Sequence, residues 1–122
     1  MEKPPYGLMS PATLLRVVDG DTLVVKLRGI EVNVRLLNCW ARELHRGSDE
    51  DRAAGAAAKA WMVDMLPIGS AIDVHIPTGD GDRFSEVLTF GRVLGWVWRR
   101  GEGVSLNEQI VQAGHATMER PR

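Results

Sequence analysis

Three charged side chains in this chain could belong to an active site or could have only a structural role: Arg35, Glu43 and Arg92. A guanidinium presents a planar fork of donors that matches phosphate oxygens, and a carboxylate can position or deprotonate a water molecule. Each residue also has an ordinary interpretation. Arg35 could be a solvated strand residue, and Glu43 could be a loop carboxylate paired with Arg42 or Arg46. Only the order of several motifs along the chain can favour one interpretation.

Arg92 shares the bulkier face of its predicted strand. The other residues of that face are Leu88, Phe90, Leu94, Trp96 and Trp98. A guanidinium among large apolar side chains is costly unless an anion meets it. Two structural alternatives remain open: its stem packs in the core while its head reaches water or an internal carboxylate, or a bulge at Gly91 turns it outward.

Composition and charge restrict the class of protein. The chain has 122 residues, enough for one domain, with 44% hydrophobic and 25% charged residues and no apolar run long enough to span a bilayer. Fifteen basic and sixteen acidic residues leave a net charge of −1, whereas proteins that grip duplex nucleic acid usually carry a basic excess. Any action on nucleic acid must therefore depend on a local site or a metal.

The start of the chain and its one cysteine predict a cytoplasmic protein. Prolines in "MEKPPYGLMSP" occupy the place where a signal peptide needs an apolar stretch. Cys39 is the single cysteine, so an internal disulfide is ruled out and a reducing compartment fits. We expect its thiol to be a small buried hydrophobe, since no histidine lies near it in the chain.

Period-2 alternation and one helical segment predict the elements that position these residues. The predicted strands are 12–18, 22–27, 30–37, 71–76 and 87–98, and the predicted helices lie within 48–69 and 104–115. Ser48 and Asp51 form a capping-box pattern, and Pro67 with Gly69 ends the first helix. The turn "DGDT" (19–22) should place Gly20 at positive φ with its aspartates capping backbone groups. The order β-β-β-α-β-β-α favours a small closed barrel of the OB type.

Four motifs stand in an order that resembles the staphylococcal nuclease (thermonuclease) family. They are "VVDGDTLVV" (17–25), "VRLLNCWARE" (34–43), "TFGRVLGWVW" (89–98) and "SLNEQIVQAGHA" (105–116). The resemblance implies an α+β fold: a five-stranded OB-fold barrel with two helices and without the family's usual long C-terminal helix. It covers a domain at 11–117, with an N-terminal extension at 1–10 and a C-terminal tail at 118–122.

This resemblance implies Ca²⁺-assisted hydrolysis of phosphodiester bonds in single-stranded or locally open DNA or RNA. Arg35 and Arg92 would stabilise the phosphorane, and Glu43 would position or activate the attacking water. Membrane binding is not implied, and a homodimer could complete the site.

The same resemblance implies the metal ligands and shows one departure. Asp21, Asp19 and the backbone carbonyl of Ala41 would hold the ion, because Ca²⁺ prefers carboxylate and carbonyl oxygens. Trp40 stands where the family has a second ligand aspartate, so the ion could be another divalent cation, or the site could hold none. Trp40 either fills space between the third strand and the first helix or stacks on a base of the substrate.

The main alternative to a nuclease is an OB-type module without catalysis that binds nucleic acid or a protein partner. Trp40 and the slightly acidic composition favour it. The remaining chemistry-bearing side chains have structural interpretations. His45, His75 and His115 are expected at the surface or at edges, Trp61, Trp96 and Trp98 in the core, and "GDGDRF" (79–84) in a solvated turn.

Overall fold

The computed structural model describes residues 7–41, 48–77 and 92–119. Their elements, in chain order, are β1 (Gly7–Asp19), β2 (Thr22–Leu27), β3 (Ile30–Leu36), β4 (Trp40–Ala41), α1 (Asp49–Met65), β5 (Ala71–Pro77), β6 (Arg92–Arg99), α2 (Leu106–Gln112) and β7 (Ala116–Thr117). The predicted strand residues 87–91, the loop "GDGDRF", Arg42, Glu43, His45 and Arg46 lie outside the described residues.

Five strands close into one barrel in the order β1-β2-β3-β6-β5, with β1 pairing on both of its edges. The β3–β6 pair is parallel, and the other four pairs are antiparallel. A closed barrel has no free strand edge that could pair with another chain. This mixed barrel with two helices is consistent with the predicted OB-like α+β class, and it confirms the five barrel strands.

The barrel interior takes one side of each alternating strand. β2 contributes Leu23, Val25 and Leu27, and β3 contributes Val32, Val34 and Leu36, all at most 1% exposed. The space inside is narrow: a Cβ added at Gly95 would lie 3.2 Å from the His75 carbonyl oxygen and 3.2 Å from Val34 Cγ1. The face of β6 that carries its smaller side chains, Val93, Gly95 and Val97, therefore points into the barrel.

β1 begins at Gly7, five residues before the predicted strand at 12–18. Pro11 argues against a strand at this point of the sequence, because proline lacks the N–H that a central strand needs. At Pro11 the strand pairs with β5 alone, while pairing with β2 begins at Ala12, so one edge has no hydrogen bond to lose. Two register shifts follow, between Leu14 and Arg16 and between Val17 and Asp19, and they bend β1 from one neighbour to the other.

Helix α1 confirms the capping-box prediction. Ser48 Oγ accepts from the Asp51 N–H at 3.2 Å, and the Asp51 carboxylate accepts from the Ser48 N–H at 3.3 Å. Its alanine-rich face lets the helix approach the barrel closely. Met62, Ala58 and Leu66 at the helix C-cap are buried against it.

Two features differ from the sequence predictions. β4 and β7 form a two-stranded sheet of two residues each, in which Trp40 pairs with Thr117 and Ala41 pairs with Ala116. His75, expected at the surface or an edge, is 2% exposed, because it faces away from solvent on a strand bonded on both edges.

No helix in the described part of the chain is long and apolar enough to cross a membrane.

Candidate functional site

Asp21 and Arg35 form an ion pair at one end of the β2–β3 hairpin. Thr22, which follows the β1–β2 turn, is the cross-strand partner of Arg35, and this register brings the two charged side chains together. Arg35 Nη2 lies 3.3 Å from Asp21 Oδ2, and the two side chains are 14% and 11% exposed. Two charges buried to this extent attract each other more strongly than a surface ion pair does, but the cost of desolvating both groups offsets part of that attraction.

Backbone carbonyls hold the Arg35 guanidinium in place. Its Nη1 donates to the carbonyl oxygens of Leu36 and, at 2.9 Å, of Cys39. Its central carbon lies 5.6 Å from the centroid of the Trp40 ring, within cation–π range. An arginine has five N–H donors; within the described residues, two of those of Arg35 form hydrogen bonds and its Nη2 contacts Asp21.

Asp21 binds its proton more tightly than an ordinary aspartate. Burial, with a smaller contribution from a hydrogen bond with the Asp19 side chain, raises the pKa of Asp21 from 3.8 to about 6. The Ala41 N–H, which donates to Asp21 Oδ2 at 2.9 Å, and the charge of Arg35 act in the opposite direction. Ionised Asp21 is therefore under-stabilised despite its neighbouring guanidinium, as is common for carboxylates at functional sites.

The β1–β2 turn is pressed against α1 and β4 through Gly20. A Cβ added there would lie 2.8 Å from Ala41 Cβ and 2.9 Å from Ala58 Cβ, closer than such atoms approach. The predicted positive φ at Gly20 is wrong, since the described glycines at positive φ are Gly29, Gly69, Gly101 and Gly114. Close approach, and not an unusual backbone conformation, requires glycine here. The predicted capping is present: Asp19 Oδ1 accepts from the Asp21 N–H at 3.2 Å.

Asn107, which sequence reasoning did not single out, ties α2 to the end of β3. Its side chain is fully buried, donates to the carbonyls of Leu37 (2.8 Å) and Gly95 (3.0 Å), and accepts from the Val97 N–H (3.0 Å). A buried polar side chain that satisfies three backbone groups fixes their relative positions. A signal was present in "SLNEQIV", where a polar residue stands beside Leu106 in the first helical turn.

Arg92 is exposed, which fits the alternatives in which its guanidinium reaches water or is turned outward. The narrow barrel takes Val93, Gly95 and Val97 inside, which turns the bulky face of β6 outward. Leu94 on that face is 53% exposed, although Trp96 is almost fully buried. In water the guanidinium needs no buried anion, and its position alone does not demand a substrate.

The structure nevertheless places Arg92 on the strand next to Arg35. Arg92 is the parallel partner of Asn33, and Arg35 is the partner of Leu94, so the four residues share the outer surface of β3 and β6. The two arginines therefore lie on one surface, on adjacent strands and two residues apart in register. Glu43, the third predicted catalytic residue, lies outside the described residues.

Trp40 is half-buried in β4, with its ring beside the guanidinium of Arg35. Cys39, next to it, is fully buried, and burial raises the pKa of its thiol to about 12, with the charge of Asp21 contributing. At neutral pH the thiol is therefore protonated and a poor nucleophile, as its expected structural role requires.

The described donors do not make a complete coordination shell for a divalent cation. Asp21 Oδ2 already accepts from Ala41 and contacts Arg35, while Asp19 Oδ1 caps the turn. Across residues 7–41, 48–77 and 92–119, no group of three or more His, Cys, Asp or Glu side chains could hold a metal ion. Ca²⁺ takes six to eight oxygen ligands, waters included, so Asp19, Asp21 and the Ala41 carbonyl would supply only part of its shell.

No protein-family model matches this chain. The chemistry of the site has therefore to be argued from the geometry just described.

Proposed function

We propose that the protein is a nuclease that hydrolyses phosphodiester bonds in single-stranded or locally open DNA or RNA. Arg35 and Arg92 stabilise the pentacoordinate phosphorane, and Glu43 positions and activates the attacking water. The assignment of Glu43 rests on the resemblance of the sequence to the staphylococcal nuclease family. The observation that carries the proposal is the pair of arginines on adjacent parallel strands, next to a buried carboxylate with a raised pKa.

Phosphoryl transfer needs positive charge that is already in place when the extra negative charge develops. Arg35 meets this requirement because two carbonyls, Asp21 and the Trp40 ring restrict its movement. Arg92 differs in being solvent-exposed at the start of β6, where it can close on a bound phosphate. The fixed arginine would orient the phosphate and the exposed arginine would complete its neutralisation.

Asp21 supports the proposal through the energetics of its charge. A carboxylate kept only for stability next to an arginine would have its pKa lowered, whereas the pKa of Asp21 is raised. Because burial opposes its ionisation, Asp21 has a remaining need for positive charge or a proton. A divalent cation, as the resemblance implies, or a proton from the reacting groups would satisfy that need.

The metal is a weaker part of the proposal than the arginines. Ca²⁺ would supply Lewis-acid stabilisation of the phosphate oxygens when bound. Because the described oxygen donors would supply only part of a calcium coordination shell, we assign no step of the mechanism to the ion. Trp40 in particular provides a ring where a carboxylate ligand would be needed.

A cleavage assay tests the proposal directly. Wild-type protein, Arg92→Ala and Glu43→Gln are incubated with a labelled single-stranded oligonucleotide, with and without Ca²⁺, Mg²⁺ or Mn²⁺. We expect cleavage by the wild type and a loss of about 100-fold or more in each variant, in line with the removal of a group that stabilises a transition state. Arg52→Gln, which removes an exposed charge from α1, should cleave normally. Absence of cleavage under every ion, with binding intact, would contradict the proposal.

Substitution of Trp40 by aspartate tests the metal separately. If Trp40 lies where a ligand carboxylate belongs, Trp40→Asp should raise the affinity for Ca²⁺ by about tenfold or more, since ligand charge is a main determinant of affinity. Isothermal titration of both proteins measures this. Equal affinities would mean that the divalent ion, if one is used, binds elsewhere, while the roles of the arginines would stand.

The second candidate function is a non-catalytic module that binds single-stranded nucleic acid. It is favoured by the local use of both described carboxylates, since Asp21 and Asp19 each already accept backbone N–H donors. In that case Arg35 would only stabilise the fold, and Arg92 would contact a phosphate of the bound strand. Tight binding of the oligonucleotide without cleavage, weakened by Arg92→Ala, would select this candidate.

A further inference from the structure

Three cationic side chains line a cavity at the other end of the β2–β3 hairpin. The cavity has a volume of about 320 Å³, and Lys26, Arg28 and Arg100 contribute its charges. The other described residues that line it are Pro11, Ala12, Thr13 and Gly29, and none of them is acidic. Lys26 lies four residues along β2 from Thr22, roughly 13 Å at the rise of a strand, so the cavity is separate from the Asp21–Arg35 pair.

The strand register brings these groups to one outer surface. Thr13 is the cross-strand partner of Lys26, and both are exposed. The hydroxyl of Thr13 and the ammonium group of Lys26 are thus donors on neighbouring strands. Gly29 adds a backbone at which an added Cβ would meet nothing within 4 Å, which leaves room for a ligand.

Arg28 adopts a conformation that arginine normally avoids. Its φ is 51°, in the left-handed region that glycine and asparagine occupy more readily. Its Nε donates to Ser10 Oγ at 3.3 Å, and Ser10, which is fully buried, donates in turn to the Pro11 carbonyl at 2.9 Å. This anchor fixes the side chain near β1, and no described residue accepts from its two terminal nitrogens. The positive φ of Arg28, with Gly29 at 81°, is what the two-residue turn between Leu27 and Ile30 requires, so the evidence for a site is the anchored guanidinium and not the backbone.

The nearby acids do not neutralise the three cations. Arg100 donates to the Ile72 carbonyl at 3.0 Å, and its Nε lies 3.7 Å from Asp73 Oδ1, a long contact between half-exposed groups. Glu31 is the cross-strand partner of Lys26, but its carboxylate pairs with Arg16 at 3.1 Å. Within the described residues, no ion pair engages Lys26 or Arg28. Among the described residues, the cavity is therefore left with an excess of positive charge.

We propose that this cavity is a second anion site, which binds a phosphate group. Guanidinium and ammonium donors with a hydroxyl are the usual partners of phosphate oxygens. The phosphate could belong to the backbone of a nucleic-acid strand or to a free phosphate compound, and both present the same chemistry. The inference does not rest on the proposed nuclease activity, because binding is measured without cleavage.

Amide chemical shifts with two probes test the proposal. Pyrophosphate, and separately a short single-stranded oligonucleotide, is titrated into isotope-labelled full-length protein. We expect saturable shifts at the amides of Thr13, Lys26 and Gly29. If both probes shift these amides and compete, the strand backbone is the source. If pyrophosphate alone shifts them, the source is a free phosphate compound. The absence of saturable shifts at the cavity with either probe would overturn the proposal.

Two variants of equal net charge separate a built site from general attraction. The cavity variant combines Lys26→Gln, Arg28→Asn and Arg100→Gln, while the control combines Arg52→Gln, Lys59→Gln and Arg99→Gln, none of which lines the cavity. We expect affinity for pyrophosphate to fall at least about tenfold in the cavity variant and less than about threefold in the control, since directed charged hydrogen bonds exceed screened attraction. Equal losses would overturn the proposal.

One single substitution keeps the test valid if the triple variant fails to fold. Arg28→Asn suits the left-handed backbone, so it should fold and still weaken pyrophosphate binding by about threefold or more. Thermal unfolding of each protein confirms the native state before titration. Unchanged binding by a folded Arg28→Asn protein would contradict the role of Arg28.

Discussion

The two ends of the β2–β3 hairpin hold arginines in opposite surroundings. At one end Arg35 is 14% exposed and bonded to Asp21 and to two backbone carbonyls. At the other end Arg28 is exposed and shares an open cavity with Lys26 and Arg100. Residue type alone therefore does not define the role of a cation in this barrel. The groups that surround each guanidinium decide whether it supports the fold or is available to a ligand.

The difference also concerns which charge is left unsatisfied. At the Arg35 end the ionised acid is the unfavourable charge, because burial raises the pKa of Asp21. At the Arg28 end the cations are in excess, but water screens their repulsion and the cost to the fold is small. The first end should respond to substitution with large changes in stability, and the second should respond mainly in ligand binding.

The largest effect is expected from Arg35→Met. It removes the partner of a buried carboxylate, which can take up a proton at a cost of about 1.4 kcal/mol at pH 7. It also leaves the Leu36 and Cys39 carbonyls without their donor, so the total should be about 2–4 kcal/mol of unfolding free energy. The loss should shrink below about pH 4, where Asp21 is protonated in folded and unfolded chains. Urea unfolding at both pH values measures it.

Arg28→Met is the matched control at the open end, and it should change the unfolding free energy by no more than about 0.5 kcal/mol. If the two substitutions cost the same, the contrast between the two ends would be wrong.

A smaller effect is expected from Gly20→Ala, which tests the packing behind Asp21. The new methyl group would overlap Ala41 and Ala58, and overpacking of this kind costs about 1–3 kcal/mol. Gly103→Ala is the control, since an added Cβ there would meet nothing within 4 Å. Thermal unfolding of both variants gives the comparison, and a Gly20→Ala protein as stable as the wild type would show that the turn lies farther from α1.

The smallest of the three changes is a gain in stability from Asp21→Asn. Folded Asp21 has a higher pKa than the unfolded residue, about 6 against 3.8. The folded state therefore takes up a proton between these values, and its stability falls as the pH rises through them. An asparagine can accept from Ala41 and cannot ionise, so we expect about 1 kcal/mol more stability at pH 7 and no gain below pH 4.

Asp64→Asn, an exposed site on α1, controls for loss of one negative charge and should leave stability nearly unchanged at both pH values. A destabilised Asp21→Asn protein at pH 7 would mean that the ionised carboxylate supports the fold.

Local signals in the sequence were enough for much of the fold. The alternation in 22–27 and 30–37 predicted β2 and β3 to within one residue, because a half-buried strand imposes a period of two on its own residues. The Ser48–Asp51 pattern predicted the start of α1 for a similar reason, since the capping box is closed within three residues.

Features that depend on distant parts of the chain were not predictable. Which face of β6 points inward depends on the barrel radius, so the sequence left the exposure of Arg92 open. The β4–β7 pair has two residues per strand, too few for any period. The burial of His75 results from strands on both of its sides.

The candidate site was predictable only in part. The resemblance placed Asp21 and Arg35 in one site, and the register of β2 and β3 does bring them together. Nothing in the sequence indicated the raised pKa of Asp21 or the three bonds of Asn107, because both depend on burial and on groups from several elements. Ca²⁺ and the catalytic role of Glu43 stay predictions.

The most direct test of the central claim, that Asp21 and Arg35 form a functional site and not an ordinary ion pair, is the pKa of Asp21 itself. It can be measured from the side-chain ¹³Cγ shift between pH 3 and 8, with Asp21→Asn to assign the signal. We predict a midpoint of about 6, since burial outweighs the guanidinium. A midpoint below the ordinary value of 3.8 would show that Arg35 simply stabilises the carboxylate, and would contradict the account.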